Sequence, residues 1–189
     1  MIAAMNITLT WDLFIIVFFA IVITYSFIIG RKEAIKIIIA TYITIVAVQG
    51  MGNVFQRIVG ETASVLNVLG ITIETELLSI TKLVLFIVII IALAIKAGIT
   101  VTYNHEPGLP MNAVFTGLFG FTTAGLLLTT LLTYTAGVPL LDTNLPNVAT
   151  LSPIIQQSPL MQLMILNQDL WFSLPALALL VAGIVANRK

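Results

Sequence analysis

Residues 12–56, DLFIIVFFAIVITYSFIIGRKEAIKIIIATYITIVAVQGMGNVFQ, decide the fold of this chain. An apolar run covers Leu13–Ile29, a charged turn follows at Gly30-Arg31-Lys32-Glu33, and a second apolar run covers Ile37–Val48. A helix needs roughly 20 mostly apolar residues to cross a hydrocarbon core about 30 Å thick. An isolated strand would leave its backbone groups unpaired in lipid. The stretch therefore predicts a membrane hairpin of two helices.

The composition of the whole chain agrees with a membrane location. Of its 189 residues, 59% are hydrophobic and only 8% are charged, whereas soluble domains carry roughly 25% charged residues. We therefore predict an integral membrane protein whose main partner is the lipid bilayer. Eight basic and eight acidic residues cancel, so bulk charge does not favour nucleic acid as a partner. The absence of cysteine excludes thiolate metal sites and cysteine nucleophiles.

The distribution of apolar runs predicts an all-α polytopic bundle of about five transmembrane helices, forming a single domain over residues 1–189. The predicted spans lie near residues 13–29, 34–55, 78–100, 111–135 and 170–186. Residues 136–169 form the longest connection. Because a structureless loop of that length is unusual, we expect its apolar stretch Leu160–Leu166 to form a re-entrant or interfacial helix.

The basic residues predict the direction of insertion. Six of the eight fall on one side of the five-span arrangement, and the other side holds only Arg57 and Lys82; the six are Arg31, Lys32, Lys36, Lys96, Arg188 and Lys189. Cytoplasmic loops carry an excess of Lys and Arg. We expect the N-terminus outside, the C-terminus inside, loop 136–169 on the outer side, and a multi-pass location in the cytoplasmic (inner) membrane.

A polar face is predicted on the second span. Tyr42, Gln49, Asn53 and Gln56 follow one another at spacings of seven, four and three residues, which places them along one side of a helix. Because amides facing lipid are costly, we expect this face to meet another helix, another subunit or water. The two interpretations are an interhelical hydrogen-bonded seam and the lining of a pore.

A small-residue face is predicted on the fourth span. Ala113, Gly117, Gly120 and Ala124 recur at spacings of four, three and four residues. Small residues let two helix backbones approach closely, which is a common way for helices to associate in lipid. This face is therefore the candidate helix-packing interface. It could serve packing within one bundle, or association into a homo-oligomer or with other membrane protein subunits.

No residue pattern of an enzyme or a cofactor site occurs in the chain. The single histidine, His105, lies beside Glu106 in a polar turn, and two adjacent side chains do not form a metal site or an acid–base pair. The chain has no HExxH, Walker-type or GxSxG motif. We predict no catalytic, cofactor-binding or metal-binding residues.

Several short motifs resemble those of the colicin V production protein (CvpA) family. Asp12 precedes the first span, Ser26 and Gly30-Arg31-Lys32-Glu33 form a Ser-x-x-x-Gly-basic turn, and Gly117, Gly120 and Gly125 lie in the fourth span. Leu151-Ser152-Pro153 and Ser158-Pro159-Leu160 follow. The resemblance covers residues 12–163. It implies an inner-membrane protein linked to toxin production or export and to upkeep of the envelope, and it supplies no enzymatic residues.

Three classes of function follow from these observations. The first is a non-enzymatic membrane scaffold or accessory subunit that acts through the small-residue and amide faces. The alternative is a passive channel or transporter component that uses the polar face of the second span. The third, a membrane enzyme, lacks any recognisable catalytic group. Mid-span ionisable residues, which mark coupled transport, are absent from the predicted spans.

The positive-inside distribution makes a direct prediction about topology. After Lys189, a fused reporter enzyme that works only in the cytoplasm should be active. Near Pro146, an inserted reporter that works only outside should be active. Paired cytoplasmic and external reporters at each position provide the measurement. The reverse pattern at either position would overturn the predicted orientation.

Overall fold

The computed structural model describes residues 10–68, 75–96, 109–141 and 153–187 of the chain. Across these ranges the chain forms helices and short turns, and no strand. The predicted all-α fold class is thereby confirmed. The helices are α1 (Trp11–Val68), α2 (Thr75–Lys96), α3 (Leu109–Ala136), α4 (Pro153–Gln156), α5 (Pro159–Leu166) and α6 (Gln168–Asn187).

Helix α1 is broken at Gly30 into a first arm, residues 11–29, and a second arm, residues 31–68. Gly30 has φ 80° and ψ 170°, a backbone conformation that essentially only glycine adopts. The first arm runs antiparallel to α3. Phe27, late in the arm, lies against Gly117, near the start of α3. Phe19, earlier in the arm, meets a later residue of α3, with its ring 5.4 Å from that of Phe121.

The second arm runs in the opposite direction to the first. Its first residue, Arg31, places its guanidinium carbon 4.9 Å from the ring centre of Phe115, near the start of α3. Further along, Ile45 and Val48 belong to a core cluster with Leu126 and Tyr134, towards the end of α3. Both arms therefore lie along α3, one antiparallel and one parallel. The chain reverses at Gly30, as the charged turn predicts.

Helices α2 and α6 complete the bundle, and each runs antiparallel to α3. The side chain of Lys82, in the first half of α2, lies against Gly52, and Ser79 lies beside Gly137 at the far end of α3. In α6, Trp171 contacts Gly125. Later in α6, Ala178 and Ala182 join a core cluster with residues 115 and 119 of α3.

Four helices are long and apolar enough to cross a membrane by length and composition: Trp11–Phe55, Ser79–Lys96, Pro110–Ala136 and Gln168–Val185. The first has 45 residues, or about 68 Å at the usual helical rise, and the reversal at Gly30 divides it into two segments of crossing length. In α3, 67% of an 18-residue apolar stretch is buried, against 6–33% of the corresponding stretches in the other three helices. The bundle is therefore built around α3.

Charged side chains collect at the two ends of the bundle. The end that contains the Gly30 turn carries Arg31, Lys32 and Lys36, together with Lys96 at the end of α2. Lys36 Nζ lies 2.6 Å from a carboxylate oxygen of Glu33. The opposite end carries Asp12, Arg57, Lys82 and Asp169. Charges outside the apolar length agree with the energetics of helices in lipid.

Some boundaries differ from those that the apolar runs predict. The second arm continues as a helix to Val68, well past the predicted end of the span at residue 55. The predicted span 78–100 corresponds to α2, but residues 97–100 lie outside the described ranges. Helix α5 occupies the stretch that we expected to be re-entrant or interfacial. Its buried residues Met161, Met164 and Ile165 belong to one core cluster with Ile15 of α1.

The geometry of Gly30 predicts a large effect of a small substitution. Replacing Gly30 by Ala should cost about 1–3 kcal/mol of unfolding free energy, because the alanine Cβ disfavours this conformation. Gly50→Ala is the matched control. Gly50 lies within the same helix, and an added Cβ would meet nothing within 4 Å, so alanine should be neutral or slightly stabilising. Unfolding in mixed detergent micelles measures both, and equal stabilities would contradict the role of Gly30.

Candidate helix-packing site

The small-residue face of α3 contacts the first arm of α1 within the same chain. A Cβ added at Gly120 would lie 2.8 Å from Ser26 Cβ and 3.0 Å from the Ile23 Cα. A Cβ at Gly117 would lie 3.2 Å from the tip of the Phe27 ring. A side chain at position 120 would therefore crowd the backbone of the first arm. This is the close approach that small residues provide in lipid.

A buried hydrogen bond lies beside this contact. Ser26 Oγ donates to the carbonyl oxygen of Thr116 at 3.1 Å, and Ser26 is 3% exposed. Thr116 Oγ1 donates in turn to the carbonyl oxygen of Asn112 at 2.8 Å. The same few residues therefore combine backbone approach with an interhelical hydrogen bond, which lipid cannot replace.

The four predicted interface residues do not behave alike. Ala124 is fully buried and Gly120 is buried, Gly117 is half-buried, and Ala113 is exposed. Gly117 lies level with Phe27, so Ala113, one helical turn earlier, lies level with the end of the first arm at Gly30. The packed face therefore consists of Gly117, Gly120 and Ala124.

A second close contact on α3 lies outside the predicted face. A Cβ at Gly125 would overlap the carbon atoms of the Trp171 indole. The same indole is 5.8 Å, centre to centre, from the rings of both Phe19 and Phe121. Gly125 thus admits the largest side chain of α6 into the bundle. Its small size is visible in the sequence, but its partner is not.

Most of the threonine side chains of α3 bond to their own helix. Five hydroxyls donate to carbonyl oxygens three or four residues earlier: Thr116, Thr122, Thr130, Thr133 and Thr135. Within the described ranges, the buried hydroxyls of Thr123 and Thr129 have no hydrogen-bond partner. The threonine hydroxyls of the central helix are therefore mostly satisfied within the helix itself.

The predicted polar face of the second arm divides in the structure. Tyr42 is half-buried, and its hydroxyl donates to the carbonyl oxygen of Phe172, which joins the second arm to α6. Gln49 is half-buried, whereas Asn53 is exposed. The side chain of Gln56 lies outside the described part of the structure. Of the three residues whose side chains are described, Tyr42 makes an interhelical bond.

Asp12 and Ser158 form a polar contact that the sequence did not lead us to predict. Ser158 Oγ donates to a carboxylate oxygen of Asp12, which also accepts from the Leu160 backbone N–H at 3.2 Å. Ser158 accepts from the Met161 N–H at 3.1 Å as the N-cap of α5, with Pro159 at the first helical position. Ser-Pro is a recognisable helix start, but the contact with Asp12 spans 146 residues.

The described side chains contain no cluster of three or more His, Cys, Asp or Glu residues that could hold a metal ion. His105 and Glu106 lie outside those residues, so the prediction about them stays a prediction. Comparison of the chain with protein-family models, curated proteins and solved structures found no match.

The contact at Gly120 predicts a specific loss of stability. Gly120→Ala should lower the unfolding free energy by about 1–3 kcal/mol, the usual cost of overpacking, because the nearest groups include the Ile23 backbone, which cannot turn aside. Gly183→Ala in α6 is the matched control, since its added Cβ would meet nothing within 4 Å. Detergent unfolding of both variants measures the difference. A Gly120→Ala protein as stable as the control would contradict this packing site.

Proposed function

We propose that this protein is a non-enzymatic integral membrane scaffold or accessory subunit of the cell envelope. We further propose that it is a multi-pass protein of the cytoplasmic membrane with its N-terminus outside, and that it resembles CvpA-like proteins in role. The observation that carries the proposal is the use of its polar side chains. Ser26 and Tyr42 donate hydrogen bonds to carbonyl oxygens on other helices. Asp12 accepts a hydrogen bond from Ser158, the N-cap of α5.

The packing at the centre of the bundle also supports a scaffold. Phe119, Ala124 and Leu126 of α3 are completely buried, in the position that a pore through a single bundle would occupy. Interiors of this kind are close-packed and resist rearrangement. A rigid bundle with a filled axis is suited to holding other membrane components rather than to conducting a solute.

The charges support the proposed orientation. Among the described residues, four cations, Arg31, Lys32, Lys36 and Lys96, lie at the end of the bundle that contains the Gly30 turn, against one acid, Glu33. The cytoplasmic side is the side on which Lys and Arg accumulate.

One observation favours the alternative, a passive channel or transporter component. Asn53 is exposed and Gln49 is half-buried on the second arm, so amides from neighbouring copies could line a path between subunits. Asn53, however, lies 23 residues beyond Gly30, or about 35 Å along the helix. This distance exceeds the hydrocarbon thickness of about 30 Å. Asn53 therefore lies at the level of the headgroups, where an amide is readily hydrated.

Flux through proteoliposomes separates the two functions. We expect the purified protein to leave the permeability of vesicles to potassium ions and small neutral solutes unchanged, and gramicidin to provide the positive control for potassium. Gln49→Leu and Asn53→Leu should also change nothing. Protein-dependent flux that either substitution reduces would overturn the scaffold proposal and favour the channel.

Photocrosslinking tests the proposed association with other subunits. A photoreactive amino acid at Asn53 in native membranes should give a discrete protein adduct. The matched control is Val46 on the same arm, which is 72% exposed, lies within the hydrocarbon depth and should label lipid. A protein adduct at Asn53 but not at Val46 supports the accessory role, and identical lipid labelling at both positions contradicts contact through this end of the arm.

A further inference from the structure

A cleft lies where the two arms of α1 and α3 meet. Its volume is about 150 Å³. One wall is the first arm, with Val22 and Ile29, and the second wall is the second arm, with Ala34 and Ile37. The third wall is α3, with Gly120 and Leu127. The cleft lies where these three helices converge beside the Gly30 turn, and Ala34 and Gly120 are the small residues in its lining.

The cleft is suited to an apolar occupant. An apolar cavity of about 150 Å³ stays dry and admits small apolar molecules, and an unfilled void forfeits dispersion contacts along its walls. The outer surface of the first arm is apolar and exposed, with Ile21 at 62% and Ile28 at 76%. In a membrane this surface faces hydrocarbon, so the medium that reaches the cleft is the interior of the bilayer.

The position of the cleft also indicates which end of a lipid lies where. Along the first arm it extends over the eight residues from Val22 to Ile29, or about 10 Å, and it ends beside the turn that carries Arg31 and Lys32. Lys32 is exposed, and basic residues next to a transmembrane helix attract anionic headgroups. The lining also includes Tyr25, Ser26 and Thr123, but its surface is mostly apolar. Mostly apolar walls next to a basic rim match a phospholipid chain next to its phosphate.

We propose that this cleft binds one acyl chain of an anionic phospholipid, whose phosphate lies against the basic turn at Lys32. The bound chain fills the space between the arms and α3 and makes the lipid part of the bundle. The proposal requires membrane insertion alone and is independent of the accessory role, so flux or subunit crosslinking can fail without affecting it.

Native mass spectrometry of protein released from nanodiscs of equal phosphatidylglycerol and phosphatidylcholine provides the test. The wild-type protein should retain phosphatidylglycerol preferentially. Ile37→Trp fills the cleft and should lower the retained lipid by at least about tenfold, which corresponds to about 1.4 kcal/mol. Ile28→Trp is the matched control because Ile28 is 76% exposed outside the cleft.

The headgroup contact has its own variant: Lys32→Gln should remove the preference for phosphatidylglycerol. Retention by Ile37→Trp equal to that of the control, or an unchanged preference in Lys32→Gln, would overturn the proposal.

Two further measurements cover the case in which Ile37→Trp does not fold. Val22→Trp fills the same cleft from the other arm and should lower retention equally. Phosphatidylglycerol with a photoreactive group in the middle of its acyl chain should label wild-type protein within residues 22–37 and 120–127. Labelling confined to the exposed faces of α2 and α6 would overturn the assignment.

Discussion

The reversal of the chain at Gly30 is the constraint on which the rest of the bundle depends. The positive φ of Gly30 lets two apolar segments fold back instead of continuing as one helix. The first arm then reaches the small residues of α3, and the second arm reaches Phe115 and Leu126. The two arms thereby cover α3 on two sides, and α2 and α6 complete the bundle.

Lipid changes what holds these helices together. Lipid tails are as apolar as leucine, so burial of apolar side chains between helices gains little, and close backbone contact and hydrogen bonds contribute more. The structure shows both kinds of contact between helices of the bundle. Gly120 admits the first arm and Gly125 admits Trp171, while Ser26 and Tyr42 bond to carbonyl oxygens on other helices. The proposed acyl chain lies between the two arms and α3, beside Ala34.

The sequence predicted those features that depend on neighbouring residues. The hairpin follows from two apolar runs about a charged glycine turn, and the packed face of Gly117, Gly120 and Ala124 follows from helical spacing. Ala113 shares that spacing but lies beyond the reach of the first arm, and spacing alone carries no information about where a partner helix ends. The contacts of Asp12 with Ser158 and of Gly125 with Trp171 join distant parts of the chain. Predicting them requires knowing which helices are neighbours.

The distance between the two arms tests this account most directly. The chain contains no cysteine, so spin labels at Val17→Cys and Val46→Cys would be its sole labelled positions, and both valines are exposed. Packed helices lie about 8–10 Å apart, so reversal at Gly30 predicts a distance between the two spin labels below about 25 Å. Pulsed electron paramagnetic resonance in nanodiscs measures this distance. A straight helix across the 29 residues that separate the labels would give about 44 Å at the usual rise. A single distance population near that longer value would contradict the folded hairpin and the bundle built on it.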